Sequence, residues 1–356
     1  MAHELTIRAD ESAEMAYVGD VPWHGLGQQL THGATIEEWQ VAAGMDWKIQ
    51  RSKVRYFADR EGTTQLEVPD QHVLFRSDSK APLGLVSAKY KAVHPREVLE
   101  FFRDLVAGQG FELDTAGTLF GGRKFWALAK IGEAAEILDR DPVTGYLLLT
   151  SSADGSSSTV GKFLATRVVC NNTLTAGMRE GTKQASVSHR QAFSAGALKD
   201  RLGVARDGFA QTVDGMRALT QINLAPREAQ DFVRQLLRPA EVKAAATAAA
   251  AIATASGSND FRALLAGVFA PMVDDDDTKG RAPKGEAEIL RLFSGAAIGD
   301  RIPGVHGTAW GMLNAVTEYV DHRASTKTDS HRMDSAWSGR GEDLKLSAFE
   351  QLLARV

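Results

Sequence analysis

Between Phe111 and Val169 four β-prone segments succeed one another, and that succession constrains the fold more than anything else in the chain. They are Phe111–Leu119, Arg123–Ile131, Tyr146–Ser151 and Thr159–Val169. Gly121-Gly122 and Asp154-Gly155 mark turns, and residues 132–144 form a polar excursion between strands. Without helical crossovers, neighbouring strands pair antiparallel, which excludes a doubly wound parallel sheet. Lys124–Ala129 alternates as a half-buried strand should. After Met178 the period changes. Leu198, Leu202, Ala205, Phe209, Val213, Met216 and Leu219 recur at three- and four-residue steps, which predicts one long amphipathic helix. The fold class is therefore α+β: a mixed, mostly antiparallel sheet region in the N-terminal half with an α-rich C-terminal half.

Three regions follow from this pattern. Residues 1–33 read as an extended N-terminal arm, with Trp23 as its anchor. Residues 34–185 read as an α+β sheet domain. Thr35 and Glu38 form a capping box for a short helix, and Pro95 opens a helical stripe of Val98, Phe101, Phe102, Leu105 and Val106. Residues 186–356 read as a helical region. It contains an alanine-rich run at 241–256 and, at 270–285, an acidic stretch read as a mobile loop, because Asp274–Asp277 repel one another and lack calcium-ligand spacing.

The 44% hydrophobic content suits a globular chain, and no apolar run reaches the roughly 20 residues of a membrane helix. The start, Met1 to Leu5, lacks the basic-then-apolar order of a signal peptide. One cysteine, Cys170, excludes a disulfide framework within the chain. These features point to the cytoplasm. The net charge of −4 hides a basic island: residues 151–206 carry eight Lys/Arg against three Asp/Glu, and no carboxylate lies between Asp154 and Glu180. A local surplus of this kind is the electrostatic footprint a polyanion needs.

Three constellations could carry chemistry. Asn314, Glu318, Asp321 and His322 share one side of a helix at 308–323, and Glu318, Asp321 and His322 are the candidate metal ligands. The plainer reading of that side is the polar face of an amphipathic helix. Cys170, after a strand and before a short helix at Thr173–Met178 capped by Asn171 or Asn172, could be a nucleophile with His189 or His24 as base, or a small buried hydrophobe. The favoured constellation is basic. Arg123, Lys124, Lys162 and Arg167 lie on predicted strands with Phe125, Trp126 and Phe163 beside them, and Arg179, Lys183 and Arg190 follow. A sheet presenting cations for phosphates and aromatics for stacking suits single strands. The nucleic-acid-binding set is Arg123, Lys124, Trp126, Lys162, Arg167, Arg179 and Lys183. No catalytic residue and no cofactor is assigned, since no metalloprotease, Walker or dinucleotide motif is present.

Val21-Pro22-Trp23-His24-Gly25-Leu26-Gly27, Arg167-Val168-Val169-Cys170-Asn171-Asn172-Thr173-Leu174 and the run Thr308 to His322 resemble three blocks of the "phage/plasmid-like protein" family, a domain of unknown function. The resemblance implies a phage, prophage or plasmid gene expressed in a bacterial cytoplasm, and brings no established activity. The helix near 95–107 with the strands after it also resembles, over roughly a third of the chain, the core of eukaryotic Rad-type single-strand annealing proteins, an analogy of fold alone. The function expected is that of a non-enzymatic protein that binds or anneals single-stranded DNA in recombination or replication. Its partners would be single-stranded DNA, phage recombination proteins and further copies of itself in a homo-oligomer, with no membrane. One alternative is an oligomeric interaction or structural factor using the 195–222 helix in a homo-oligomer. Another is a metal-dependent nucleic-acid enzyme.

Overall fold

The computed structural model describes residues 5–8, 11–22, 25–169, 172–175, 185–203, 207–238, 284–325 and 329–355. The chain begins with β1 (Met15–Val18), β2 (Gln28–Leu30) and α1 (Ile36–Ala42). The capping box forms: the Glu38 N–H donates to the Thr35 hydroxyl, and the Glu38 carboxylate accepts from the Thr35 N–H at 2.7 Å. Next come β3 (Ile49–Phe57), β4 (Gln65–Arg76) and β5 (Pro82–Ser87), a separate three-stranded antiparallel ribbon. Helix α2 (Pro95–Gly108) follows with Pro95 in its first turn. The central strands are β6 (Glu112–Leu119), β7 (Lys124–Glu136), β8 (Pro142–Ser152), β9 (Thr159–Arg167), β10 (Asn172–Thr175) and β11 (Ala185–Val187).

The main sheet runs β10-β9-β8-β7-β6-β1-β2, and β11 shares the free edge of β9 with β10. Its pairings are antiparallel except β1 with β2. The N-terminal segment read as an extended arm thus adds two short strands to the sheet edge, and β1 is buried throughout. The polar excursion is shorter than expected, because β7 runs on to Glu136 and β8 begins at Pro142. Asn172–Thr175, read as the start of a helix, is instead a strand. Pairing with the open edge of β9, from Asn172 with Arg167 to Thr175 with Leu164, supplies backbone partners that a local cap does not.

The C-terminal helices are α3 (Ala195–Gly203), α4 (Asp207–Leu219), α5 (Pro226–Leu237), α6 (Lys284–Arg291), α7 (Ala309–Glu318), α8 (Asp329–Ser338) and α9 (Arg340–Leu353). Helix α7 continues into a π-helical turn at Tyr319–Arg323. Of the single long helix expected at 195–222, Ala195–Gly203 (α3) and Asp207–Leu219 (α4) are helical, while residues 204–206 lie outside the described residues. Its stripe faces inward: Leu198, Phe209, Val213, Met216 and Leu219 are buried in the chain's own core. That face is not free for a second subunit. Of the expected acidic loop, Lys284 and Gly285 open α6, while residues 270–283 lie outside the described residues, as does the alanine-rich run 241–256. No described helix is long and apolar enough to cross a membrane.

The sheet is a middle layer. On its inner face Phe125, Ala127, Ala129, Leu147, Leu149, Phe163 and Ala165 join the large core with Phe101 and Phe102 of α2, Phe209 of α4 and Met312 of α7. On its outer face Leu119, Trp126, Leu128, Leu148 and Leu164 pack with Met15 and with Met333 and Trp337 of α8. Adjacent strand residues point to opposite sides, so Phe125 and Trp126 face different layers, and both are covered.

Candidate nucleic-acid interface

Double coverage decides the fate of the basic residues. Lys162 is 1% exposed. Its register opposite Leu148 places it on the outer face, where its ammonium donates to the Trp337 carbonyl and, at 2.6 Å, to the Glu342 carboxylate. Burial lowers the pKa of this lysine, against the pull of Glu342. Arg167, 2% exposed, takes the inner face. Its Nε donates to Asp141 at 2.5 Å, its two terminal nitrogens donate to the Ile298 and Gly299 carbonyls, and its plane lies 5.6 Å from the Trp310 ring centre. The other Asp141 oxygen accepts the Trp310 indole N–H at 2.8 Å. Trp126 is buried edge-on to Trp337. Lys124 pairs with Asp334 at 2.6 Å. Arg123 stays exposed beside the Phe120 ring. Arg179 and Lys183 lie outside the described residues. The expected phosphate-binding face therefore does not exist as drawn: Lys162, Arg167 and Trp126 are internal, because a desolvated cation needs a fixed partner and each strand cation has found one.

The 308–323 helix departs from both readings of it. Every residue of α7 is buried, so its polar side is internal rather than solvated. Glu318 accepts from the Ile298 N–H at 2.8 Å and from Arg323 at 3.1 Å. Asp321 accepts from Lys345 at 2.7 Å and from the Thr173 N–H at 2.8 Å. Asn314 donates to the Trp310 carbonyl. These carboxylates serve cations and backbone, and among the described residues no group of three or more His, Cys, Asp and Glu could hold a metal ion. Cys170 and His24 lie outside the described residues.

An accessible basic surface among the described residues is at the β8–β9 hairpin. The loop begins with Asp154, whose carboxylate accepts the Ser156 N–H at 2.9 Å, an Asx turn. Gly155 follows at φ +79, a left-handed conformation that favours glycine. The Ser152 hydroxyl accepts from the Ser157 N–H and donates to the Ser157 carbonyl, which locks the bend. Gly84 of β5 supports the loop from beneath: a Cβ there would stand 2.6 Å from the Asp154 Cα.

Around this loop lies an open cleft of about 650 Å³ lined by Lys89, Tyr90, Gly155 to Ser158, and Ser188 to Arg190. Among the described residues, no carboxylate lines it. Lys89 and Arg190 are exposed and make no ion pair with the described residues. The hydroxyls of Ser156, Ser157 and Ser158 likewise have no protein partner among the described residues. The Tyr90 hydroxyl donates to the Ser152 carbonyl, and its ring stacks on His189 with centres 4.7 Å apart. Burial pushes the Tyr90 phenol up to about 12 and lowers the His189 imidazole, whose Nδ1 faces the Lys91 carbonyl. Arg51 of β3 donates to the Ser87 and Ala88 carbonyls, which brings the ribbon's cationic strand to the cleft rim. Sequence reasoning names Arg190 in the basic island and Asp154-Gly155 as a turn, but misses Lys89, Tyr90 and the serine triplet. The available signal is the carboxylate-free run that starts at Gly155.

A sheet covered on both faces, with a basic hydroxyl-rich cleft at one hairpin end, defines an α+β protein whose accessible chemistry lies at its strand ends. The family profile of the Domain of unknown function (DUF932) matches residues 82–337, well over half the chain, so the chain belongs to that family. The match spans β6 to β9 and every residue named on the cleft except Arg51. No curated protein and no solved structure gives a match.

Proposed function

We propose that this chain binds the phosphate backbone of single-stranded nucleic acid in the Lys89–Arg190 cleft. The observation that carries the reading is the conjunction of two unpaired cations, three free serine hydroxyls and no carboxylate on one open lining among the described residues. Cations fixed in ion pairs, as Lys124, Lys162 and Arg167 are, have little left to offer a phosphate. Lys89 and Arg190, without an ion-pair partner among the described residues, can turn to a ligand, and serine hydroxyls and loop N–H groups complete the coordination of phosphate oxygens. The cleft is open rather than enclosed, which suits a chain passing across it. Arg51 extends the positive track onto the ribbon. The setting proposed is a phage- or plasmid-derived protein in a bacterial cytoplasm, holding single-stranded DNA during recombination or replication.

The test is fluorescence anisotropy with labelled single-stranded DNA, single-stranded RNA and duplex DNA across a salt series. Affinity for single strands is expected to fall steeply with salt, and the Lys89→Ala/Arg190→Ala variant to lower both affinity and the salt slope by about two phosphate contacts. A parent that binds none of the three, or a folded double variant indistinguishable from the parent, removes the proposal.

A further inference from the structure

The outer face of the sheet is open at the end of β8 and β9 opposite the serine loop, as a cleft of about 490 Å³. That size is typical of small-molecule sites. Its floor is built from Thr144 and Tyr146 of β8, Thr166 of β9, and Asp114 and Lys130 of β6 and β7. The two charged residues sit at bulges: the register of β6 on β7 shifts between Leu113 and Thr115, and that of β7 on β8 shifts just after Lys130. A bulge re-aims a side chain. Here two bulges on neighbouring strands place Asp114 and Lys130 3.0 Å apart on the cleft floor.

The hydroxyls of Thr144, Thr166 and Tyr146 make no hydrogen bond with the described residues. A half-buried hydroxyl without a partner is a vacant recognition position. The best-buried carboxylates on the lining are already neutralised, Asp114 by Lys130 and Asp321 by Lys345 at 2.7 Å. Burial raises the Asp114 pKa against the pull of Lys130, and the pair presents an acceptor and a donor side by side at the cleft. Above the floor stand apolar and aromatic groups: Met15 and Tyr17 of β1, and Met333 and Trp337 of α8. The site thus differs from the basic cleft: it offers aromatic and thioether surface, hydroxyls without partners among the described residues, and charges of both signs, with Asp20, Asp114 and Asp321 on the lining beside Lys130, His322 and Arg332. An aliphatic ligand would leave the hydroxyls unmet, and a simple sugar would leave the aromatic walls uncovered.

We infer that this cleft binds a small uncharged molecule joining a planar heteroaromatic ring to hydroxyl groups, the chemistry of a nucleoside. The ring packs between the aromatic and methionine side chains, its donor–acceptor edge meets the Asp114–Lys130 pair, and the sugar hydroxyls pair with the threonine and tyrosine hydroxyls. This inference does not depend on the nucleic-acid reading.

Calorimetry of the full chain with adenosine, guanosine, cytidine, uridine and free ribose tests it. At least one nucleoside is expected to bind one per chain, with ribose alone giving no heat. Tyr146→Phe with Thr166→Val removes two hydroxyls at nearly constant volume and is expected to weaken that nucleoside roughly tenfold. Oligonucleotide binding should stay at the parent level, whereas Lys89→Ala/Arg190→Ala should do the reverse. If the double variant does not fold, Thr144→Val alone is expected to weaken the nucleoside several-fold. The inference is overturned if no nucleoside binds the parent, if ribose binds as well as the nucleoside, or if a folded hydroxyl-deleted variant binds as the parent does.

Discussion

Arg167 sits where alternation along β9 places it, yet its role is fixed by a residue 26 positions away: Asp141, itself wholly buried, takes its Nε. Replacing Arg167 with Met removes the cation and leaves that carboxylate uncompensated. The expected loss is about 3–5 kcal/mol of stability, read as a lowered midpoint in urea. A midpoint within experimental scatter of the parent would show that the pair is dispensable. His189 contributes a pH dependence of known sign. Burial holds its pKa below the ordinary 6.5, so the folded state binds fewer protons than the unfolded state just below that value. Stability from this group is present above about pH 6.5 and is lost as pH falls through the depressed folded pKa. His189→Gln should flatten that part of the stability profile, measured as thermal midpoint against pH. Parallel profiles for parent and variant would exclude it.

Among elements, the β8–β9 hairpin shows what sequence could and could not give. Asp154-Gly155 is a turn signal, and the observed φ of Gly155 fits it. That the loop rests on β5 was not legible, since the support is Gly84, 70 positions earlier, and the contact is between backbones. Gly84→Ala would push a methyl to 2.6 Å from the Asp154 Cα, which no flexible side chain can relieve. The expected result is a loss of about 1–3 kcal/mol and, in the same variant, weaker oligonucleotide binding as the serine triplet moves. Stability or binding at the parent level would show the loop to be independent of the ribbon. The stripe on α4 was legible as a buried face; that it meets the sheet rather than a second subunit was decided by β9 and by Phe209 packing near Gly145. The helix expected after Asn172 failed for a related reason, because an open strand edge outweighed a local cap.

At the scale of the whole molecule, the sheet is enclosed by helices drawn from distant parts of the chain. Helices α8 and α9 supply Asp334, Trp337 and Glu342 to the outer face. Ending the chain after Ser325 would expose Trp126, Leu148 and Leu164 and strand Lys162 without its carboxylate. The shortened chain is expected to bind the dye ANS and to lose its cooperative thermal transition, as a core without its cover should. A sharp transition near that of the parent would mean that the outer layer is not integral to the fold.

The sequence by itself determined the α+β class, the antiparallel run from β6 to β9, the capping box at Thr35 and the apolar stripe of α4, because each rests on local propensity or on period. Alternation also fixed that Phe125 and Trp126 face opposite sides. It could not fix what lies over either side. Tertiary structure alone decided that both faces are covered, that Lys162 and Arg167 answer to Glu342 and Asp141, and that Lys89 and Arg190 stand beside a serine loop with no ion-pair partner among the described residues. The physical reason is that charge is read from a residue, whereas its availability depends on burial and on partners. For Lys162 that partner stands 180 positions along the chain.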